Sequence, residues 1–269
     1  MGDLLAGVRA VITGGGGGIG RGISERFAAE GARVVVAEKD EARGADTVAA
    51  IGATGGDATF VPIDVTDRDA VAELASTAGE VDVLVNNVGH HLHPRHDFVH
   101  SSEQEWDELH EINLLHVFRC CRAIAPGMVE RGRGGSIINV STVEAHRGIP
   151  QHAVYSAYKA GVSAFTRSLA LELGQHHIRV NAIAPDLTET LAIRYSEWVL
   201  EEQQPLIPTW VPVGRFGAPS DIAGVALFLA SELSAFVTGT TVHADGGSLA
   251  AGGWYRRLDG TWTNRPLQP

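Results

Sequence analysis

The feature that most restricts this chain is an alternation of two kinds of segment. Short, β-branched, almost uniformly apolar runs take turns with stretches of helical period. The apolar runs are residues 8–13, 33–38, 59–64, 81–86, 136–141, 178–184 and 240–244. They lack the polar residue at every second place that a solvated face would need, so they predict strands covered on both faces. The helical stretches 19–30, 67–77, 103–131, 153–174 and 219–232 supply that cover. Such alternation predicts an α/β fold with a parallel sheet of seven strands, doubly wound by right-handed crossovers, with helices on both faces.

A chain of 269 residues is short enough for one such sheet, and no linker of Pro, Gly or Ser interrupts its first 185 residues. We expect one domain over residues 1–252. Two stretches break the pattern: 187–214, with Pro205, Pro208, Pro212, Tyr195, Trp198 and Trp210, and the tail 253–269, with Trp254, Tyr255 and Trp262. The first is expected to act as a lid over a substrate and the second as a C-terminal extension.

The 21 basic residues against 32 acidic ones give a net charge of −11, and no basic patch stands out, so a nucleic-acid partner is not expected. Cys120 and Cys121 are adjacent, unsuited to a disulfide with each other, and point to a reducing, cytoplasmic setting. The first residues lack the basic flank of a signal peptide, and no apolar run is long enough to span a bilayer, so no membrane partner is expected.

The run Thr13 to Gly20 follows the first strand and opens the first helix. Without side chains, the backbone there can turn tightly and bring amides and a helix dipole to a phosphate. It fits Gly-x-Gly-x-x-Gly through Gly15, Gly17 and Gly20, and equally Gly-x-x-x-Gly-x-Gly through Gly14, Gly18 and Gly20, with Ile19 between. Glu38 lies 18 residues after Gly20, at the end of the second strand. A carboxylate there accepts hydrogen bonds from both ribose hydroxyls of an adenosine and repels a 2′-phosphate, so NAD is expected over NADP. Lys39 pulls the other way if its ammonium reaches that phosphate rather than solvent.

In Tyr155-Ser156-Ala157-Tyr158-Lys159, positions i and i+4 of a helix set Tyr155 and Lys159 on one face and turn Tyr158 away. A phenol of pKa about 10 must fall to about 7 to exchange protons with an alcohol, which costs roughly 4 kcal/mol. One unit charge about 4 Å away at an effective dielectric near 20 supplies about that much.

These residues, with Asn86-Asn87-Val88-Gly89, Asn113 and the run 212–217, resemble the short-chain dehydrogenase/reductase family across residues 5–248. The resemblance implies a Rossmann-type sheet and a homotetramer whose interface uses the helices around 103–131 and 153–174. It implies that Tyr155 is the general acid/base, that Lys159 lowers its pKa and binds ribose, and that Asn113 holds a water in a proton relay. It makes Gly14, Gly17, Gly18, Ile19, Gly20 and Glu38 cofactor residues. Asp64 and Val65 would hold adenine, Asn87, Val88 and Gly89 would line the cofactor floor, and Ile183, Pro185, Asp186, Thr188 and Thr190 would lie near the nicotinamide and phosphates.

Three departures from the family pattern matter. The usual serine 13 residues before the tyrosine is Thr142 here, with Ser141 one earlier. Successive strand residues face opposite ways, so one of the two serves the substrate oxygen, and counting favours Thr142. Asp186 stands where the family carries glycine, and a carboxylate there either clashes with the nicotinamide or favours its positively charged oxidised form. Val88 replaces alanine, a small change.

His90, His91, His93, His96, His146 and His152 flank this region without a cysteine and without a His-x-x-x-His helix spacing, so no metal is expected. The expected activity is NAD-dependent interconversion of a secondary alcohol and a ketone on a bulky, largely apolar, cyclic or steroid-like small molecule. Two alternatives are an NADPH-dependent 3-oxoacyl thioester (acyl-carrier-protein) reductase and a cofactor-binding regulator without turnover.

Overall fold

The structure is a computed structural model that describes residues 3–93, 96–190, 194, 197 and 199–264. Seven strands form one sheet: β1 (Arg9–Thr13), β2 (Arg33–Glu38), β3 (Asp57–Pro62), β4 (Val83–Asn86), β5 (Gly135–Val140), β6 (Ile178–Pro185) and β7 (Thr241–Ala244). Their spatial order is β3-β2-β1-β4-β5-β6-β7, and every pair is parallel. The winding reverses between β1 and β4. The ends of those strands, Thr13 and Asn86, therefore open onto the crevice where such sheets hold ligands.

The helices are α1 (Gly18–Ala29), α2 (Glu41–Ala53), α3 (Arg68–Ala78), α4 (Glu103–His110), α5 (His116–Arg131) and α6 (Ala153–Gly174), followed by a helix at Pro219–Ala230. Alternate strand residues feed two cores. Ala10 and Ile12 of β1, with Val83 and Val85 of β4 and Ile138 of β5, join Phe27 of α1 and Leu229 of the Pro219–Ala230 helix. Val11, Leu84 and Ile137 join Leu74 of α3, Met128 of α5 and Val162 of α6. Each such side chain taken out of water contributes about 1.5–3 kcal/mol, which holds the sheet between its two helical layers. Cys120 and Cys121 are buried in the second core, and burial pushes the Cys120 thiol up to about 12 and raises that of Cys121 as well.

The structure departs from the sequence-based expectations in two places, α2 and the stretch 103–131, and adds detail in two more. Helix α2 was not expected, and it contains two glycines. Asp40 nonetheless caps it by accepting the Arg43 amide at 3.0 Å, and a Cβ at Gly44 would lie 2.2 Å from the Phe60 ring, so packing on β3 needs that glycine. The single helix expected over 103–131 is interrupted by a π-helical turn at Glu111–Leu115. In the stretch 187–214, the described residues form a 3-10 turn at Glu201–Leu206 and a short helix at Ile207–Trp210, while Tyr195 and Trp198 lie outside the described residues. The described part of the tail is an antiparallel hairpin, Tyr255–Arg256 against Trp262–Thr263, and residues 265–269 lie outside the described residues. Among the described residues, no helix is long and apolar enough to cross a membrane.

Candidate active site

The glycine loop between β1 and α1 resolves the two readings of its pattern. Gly14 and Gly18 have φ of +65° and +49°, and a Cβ at Gly20 would lie 2.1 Å from the Gly14 carbonyl oxygen. At Gly17 a Cβ would meet only the Arg43 side chain, at 3.8 Å, whereas at Gly15 it would lie 2.9 Å from the Ile12 carbonyl oxygen. Gly17 is thus the one glycine of the two patterns that the backbone path does not require. Asn87 ties the loop to β4: its Nδ2 donates to the Thr13 carbonyl at 3.0 Å, and its backbone amide donates to Thr13 Oγ1 at 3.0 Å.

Helices α2, α3 and α4 each have a capping side chain, from Asp40, Asp67 and Ser102. Helix α1 has none, and no acidic residue lies in its first turn. Amides left without a side-chain partner at a glycine-lined helix start fit the pyrophosphate of a dinucleotide. Thr190 overhangs the same loop, its Cγ2 3.2 Å from where a Gly18 Cβ would stand. Ile19 packs against the first core.

At the far end of β2, Glu38 accepts the Gly16 amide at 3.2 Å on one oxygen and the Lys39 and Asp40 amides at 3.0 and 3.1 Å on the other. Three of the roughly four lone-pair sites of the carboxylate are thus taken, and the one left, on the oxygen that meets Gly16, can still accept a hydroxyl donor. The Lys39 ammonium lies 3.8 Å from Asp64 Oδ2, and both side chains are exposed. Asp64 also accepts the Thr66 amide and hydroxyl at 2.9 and 2.7 Å. Burial raises its pKa, but these bonds and Lys39 outweigh it and hold the carboxyl below its usual range. Lys39, Asp40, Pro62, Ile63, Asp64 and Ala70 line an open surface cleft beside this pair. Val65 instead turns its side chain into the second core.

The β4 exit carries the floor. A Cβ at Gly89 would lie 2.5 Å from Lys159 Nζ and 3.2 Å from Asn113 Oδ1, so the bare glycine is what lets those groups approach. Val88 packs against the second core. Asn113 is fully buried within the π-turn, where Nδ2 donates to the carbonyls of His90 at 2.8 Å and Leu109 at 3.0 Å while Oδ1 accepts the His90 amide at 3.0 Å.

Helix α6 brings Tyr155 and Lys159 to the same face, one turn apart. Lys159 is 2% exposed and donates to the Val140 carbonyl at 3.0 Å, and burial pushes its pKa down to about 8. Ser141 and Thr142 separate as neighbours at a strand end should. The Ser141 hydroxyl is turned into α6, donating to the Lys159 carbonyl at 3.0 Å and pairing with Ser163 Oγ at 3.1 Å. Thr142 Oγ1 instead faces the β6 exit, donating to the Pro185 carbonyl at 3.4 Å and accepting the Glu144 amide at 3.3 Å.

At that exit, Ile183 is buried in the first core, and Thr188 Oγ1 donates to the Asp186 carbonyl at 2.9 Å. The Asp186 carboxylate is turned toward Arg147 and Ser248, which accounts for a charged residue at this turn.

The histidines gather around the tyrosine. His90 stacks on His91 at 4.7 Å between ring centroids, His91 meets His152 at 5.0 Å, and both His91 and His152 present to Tyr155, at 6.3 and 6.4 Å. His93 and His96 pair outward with Glu108 and Glu105, each at 3.1 Å. His146 meets the ring of His243 at 4.8 Å. Among the described residues, no three His, Cys, Asp or Glu side chains form a metal-binding group. Arg147, His116 and the π-turn were not singled out from sequence. His116 is fully buried one residue past the π-turn, and burial, aided by the charge on Lys159, pushes its pKa down to about 3.

Residues 14–248 match a family model described as enoyl-(acyl carrier protein) reductase. The chain belongs to the short-chain dehydrogenase/reductase family. It is an oxidoreductase of that family, acting on hydroxyl and oxo groups. The 3β-hydroxysteroid dehydrogenase 1 of Eggerthella lenta is 39% identical over 252 residues, 92% of this chain and 95% of the relative. A 3-oxoacyl-[acyl-carrier protein] reductase from Brucella melitensis with bound NAD superposes with a TM-score of 0.82 at 36% identity, covering 91% of this chain and 92% of that one. A structure from Agrobacterium tumefaciens with bound NADP also gives 0.82 at 36% identity, covering 91% and 98%. Relatives in this family thus bind NAD or NADP.

Proposed function

We propose that the protein interconverts a secondary alcohol and a ketone with NAD as its cofactor, on a bulky, largely apolar, cyclic or steroid-like substrate. The observation that carries the reading is the arrangement of Tyr155, Lys159 and Thr142: two groups one turn apart on α6, and a hydroxyl at the β5 exit that faces the β6 exit. Bound nicotinamide dinucleotide supplies or takes up the hydride.

In this reading, Gly14, Gly17, Gly18, Ile19 and Gly20 hold the pyrophosphate, with Thr188 and Thr190 above it. Glu38 receives the adenosine ribose hydroxyls, which favours NAD. The cleft at Asp64 takes adenine, and Asn87, Val88, Gly89 and Pro185 bound the nicotinamide side. The single Thr142 O–H turns from the Pro185 carbonyl to the substrate oxygen, and the phenol of Tyr155 gives or takes the proton. Lys159 stays largely protonated below its pKa of about 8 and stabilises the phenolate from one turn away. Because Asn113 commits its side chain to His90 and Leu109, a relay water beside it would rest on main-chain carbonyls of the π-turn.

The bulky, apolar substrate is supported by Leu92, Leu206 and Trp210, large and exposed on the two stretches expected to set the substrate, and by the hydroxysteroid relative. A homotetramer is part of the same proposal, supported by the exposed Leu171 on α6. In the second reading, a 3-oxoacyl thioester reductase using NADPH, the thioester is supported by the name of the Brucella melitensis relative, whose structure holds NAD, and NADPH by Lys39 next to Glu38 in the chain.

The deciding experiment measures turnover of NADH and NADPH with cyclic and steroidal ketones and with 3-oxoacyl thioesters at fixed salt. Ketone turnover preferring NADH is expected; thioester turnover preferring NADPH would put the second reading first. A Tyr155→Phe variant that binds cofactor but does not turn over separates an enzyme from a regulator.

A further inference from the structure

The turn after β6 differs from the family pattern at Asp186, and its surroundings form a closed ring of contacts. The Asp186 side chain is only 6% exposed, with one oxygen 2.8 Å from Arg147 Nη2 and also taking the Ser248 hydroxyl. The same Arg147 nitrogen lies 3.0 Å from Glu144 Oε1. The Glu144 amide donates to Thr142 Oγ1, and Thr142 Oγ1 donates to the carbonyl of Pro185, the residue before Asp186. The ring therefore runs Thr142, Glu144, Arg147, Asp186, Pro185 and back to Thr142. Ser156 Oγ, beside Tyr155, donates to the Glu144 carbonyl at 2.8 Å and joins the start of α6 to it.

Two strand exits are held together this way. Val140 of β5 is the last residue paired with β6, at Ile183; beyond it β5 leaves the sheet, while β6 runs on to Pro185 against β7. A buried carboxylate requires a partner, and here the partner sits on the other loop. Leu187, next to Asp186, has φ of +35°, a left-handed conformation that a leucine adopts only where its surroundings impose it, and its amide donates to Asp186 Oδ1 at 3.0 Å.

We propose that Arg147 and Asp186 clamp these two loops and thereby set where the Thr142 hydroxyl stands relative to Tyr155. Arg147 is a positioning residue and Asp186 its anchor. The inference rests on the reading of Thr142 and Tyr155 given above. It predicts that an Arg147 variant loses turnover while keeping most of its cofactor binding, because Arg147 touches none of the residues assigned to the pyrophosphate or the adenosine.

The test compares Arg147→Met, Arg147→Lys, Asp186→Asn and the double variant Arg147→Met/Asp186→Asn, each confirmed as folded by its melting transition. A misplacement near 1 Å costs about 100-fold, so kcat should fall about 10- to 100-fold in Arg147→Met and in Asp186→Asn. In Arg147→Met the NADH affinity should change by less than about threefold, and the double variant should lose no more kcat than either single one, as expected for partners in one contact. Arg147→Lys should recover part of the loss.

A kcat within about twofold of wild type in folded Arg147→Met would overturn the clamp. So would a raised KM at unchanged kcat, which would mean that Arg147 meets substrate itself. Hydrogen exchange of residues 142–147 reads the clamp without any turnover, and should quicken in both single variants. If the wild-type protein turned over no alcohol or ketone, the functional reading would fail alone, and unchanged exchange in the variants would then overturn the clamp.

Discussion

Asn113 and the backbone of His90 hold each other by two reciprocal hydrogen bonds, the side-chain amide donating to the carbonyl and the backbone amide donating to Oδ1, at 2.8 and 3.0 Å. The residue inside the π-turn thereby fixes the strand exit that carries His91 to the edge of Tyr155. Replacing it with alanine leaves the His90 groups without these partners and releases that exit. Asn113→Ala should lose about 1–3 kcal/mol of stability, read as a lowered urea midpoint, and lose activity beyond what the lowered stability explains.

Glu38 is the expected cofactor selector. Glu38→Ser removes the carboxylate while leaving Lys39 in place. The ratio of kcat/KM for NADH over NADPH should fall by at least about tenfold, equal to about 1.4 kcal/mol. An unchanged ratio would remove Glu38 from that role.

Lys159 acts on both activity and stability. Its folded pKa of about 8 lies below its ordinary 10.5, so between those values the unfolded chain binds the proton that the folded chain has released. Stability therefore rises as pH rises through that window, by about 3 kcal/mol at most for this group. Lys159→Met abolishes the term, so the wild-type melting temperature should gain on the variant between pH 8 and 10. The same variant should move the pH midpoint of alcohol oxidation upward, since the phenol loses its cation.

His116 gives the opposite end of the pH scale. Its pKa falls from 6.5 to about 3, through burial first and Lys159 second. Stability from keeping this ring neutral is present above pH 6.5 and is lost as pH falls from there toward 3, which is about 2 kcal/mol at pH 5. His116→Leu should narrow the gap between melting temperatures at pH 7 and pH 5. A gap that stays as wide would assign acid sensitivity to other groups.

What could be read in the sequence was what is carried locally. The strand ending in Thr13, the glycine run and the first helix are contiguous, and so are Tyr155 and Lys159, since backbone period alone sets which side chains share a face. The π-turn at Glu111–Leu115 was not legible, because one extra residue per turn leaves the apolar period of the flanking helices almost undisturbed. Helix α2 was hidden in part because Gly44 serves close contact with Phe60, a tertiary reason that overrides propensity. Arg147 and Asp186 are 39 residues apart, and only the parallel pairing of β5 with β6 makes them neighbours. For the same reason, Ser141 and Thr142 could be counted but not oriented.

The chain's two cysteines lie sealed in the core with raised thiol pKa values, so neither offers a thiolate at neutral pH. To an alkylating dye, the native molecule behaves as though it had no cysteine at all. One cysteine placed on the surface, on the 199–206 stretch or on the Tyr255–Arg256 hairpin strand, would become the single addressable handle. The wild-type sequence is thus ready for fluorescence reporting on those two segments without first removing any native thiol.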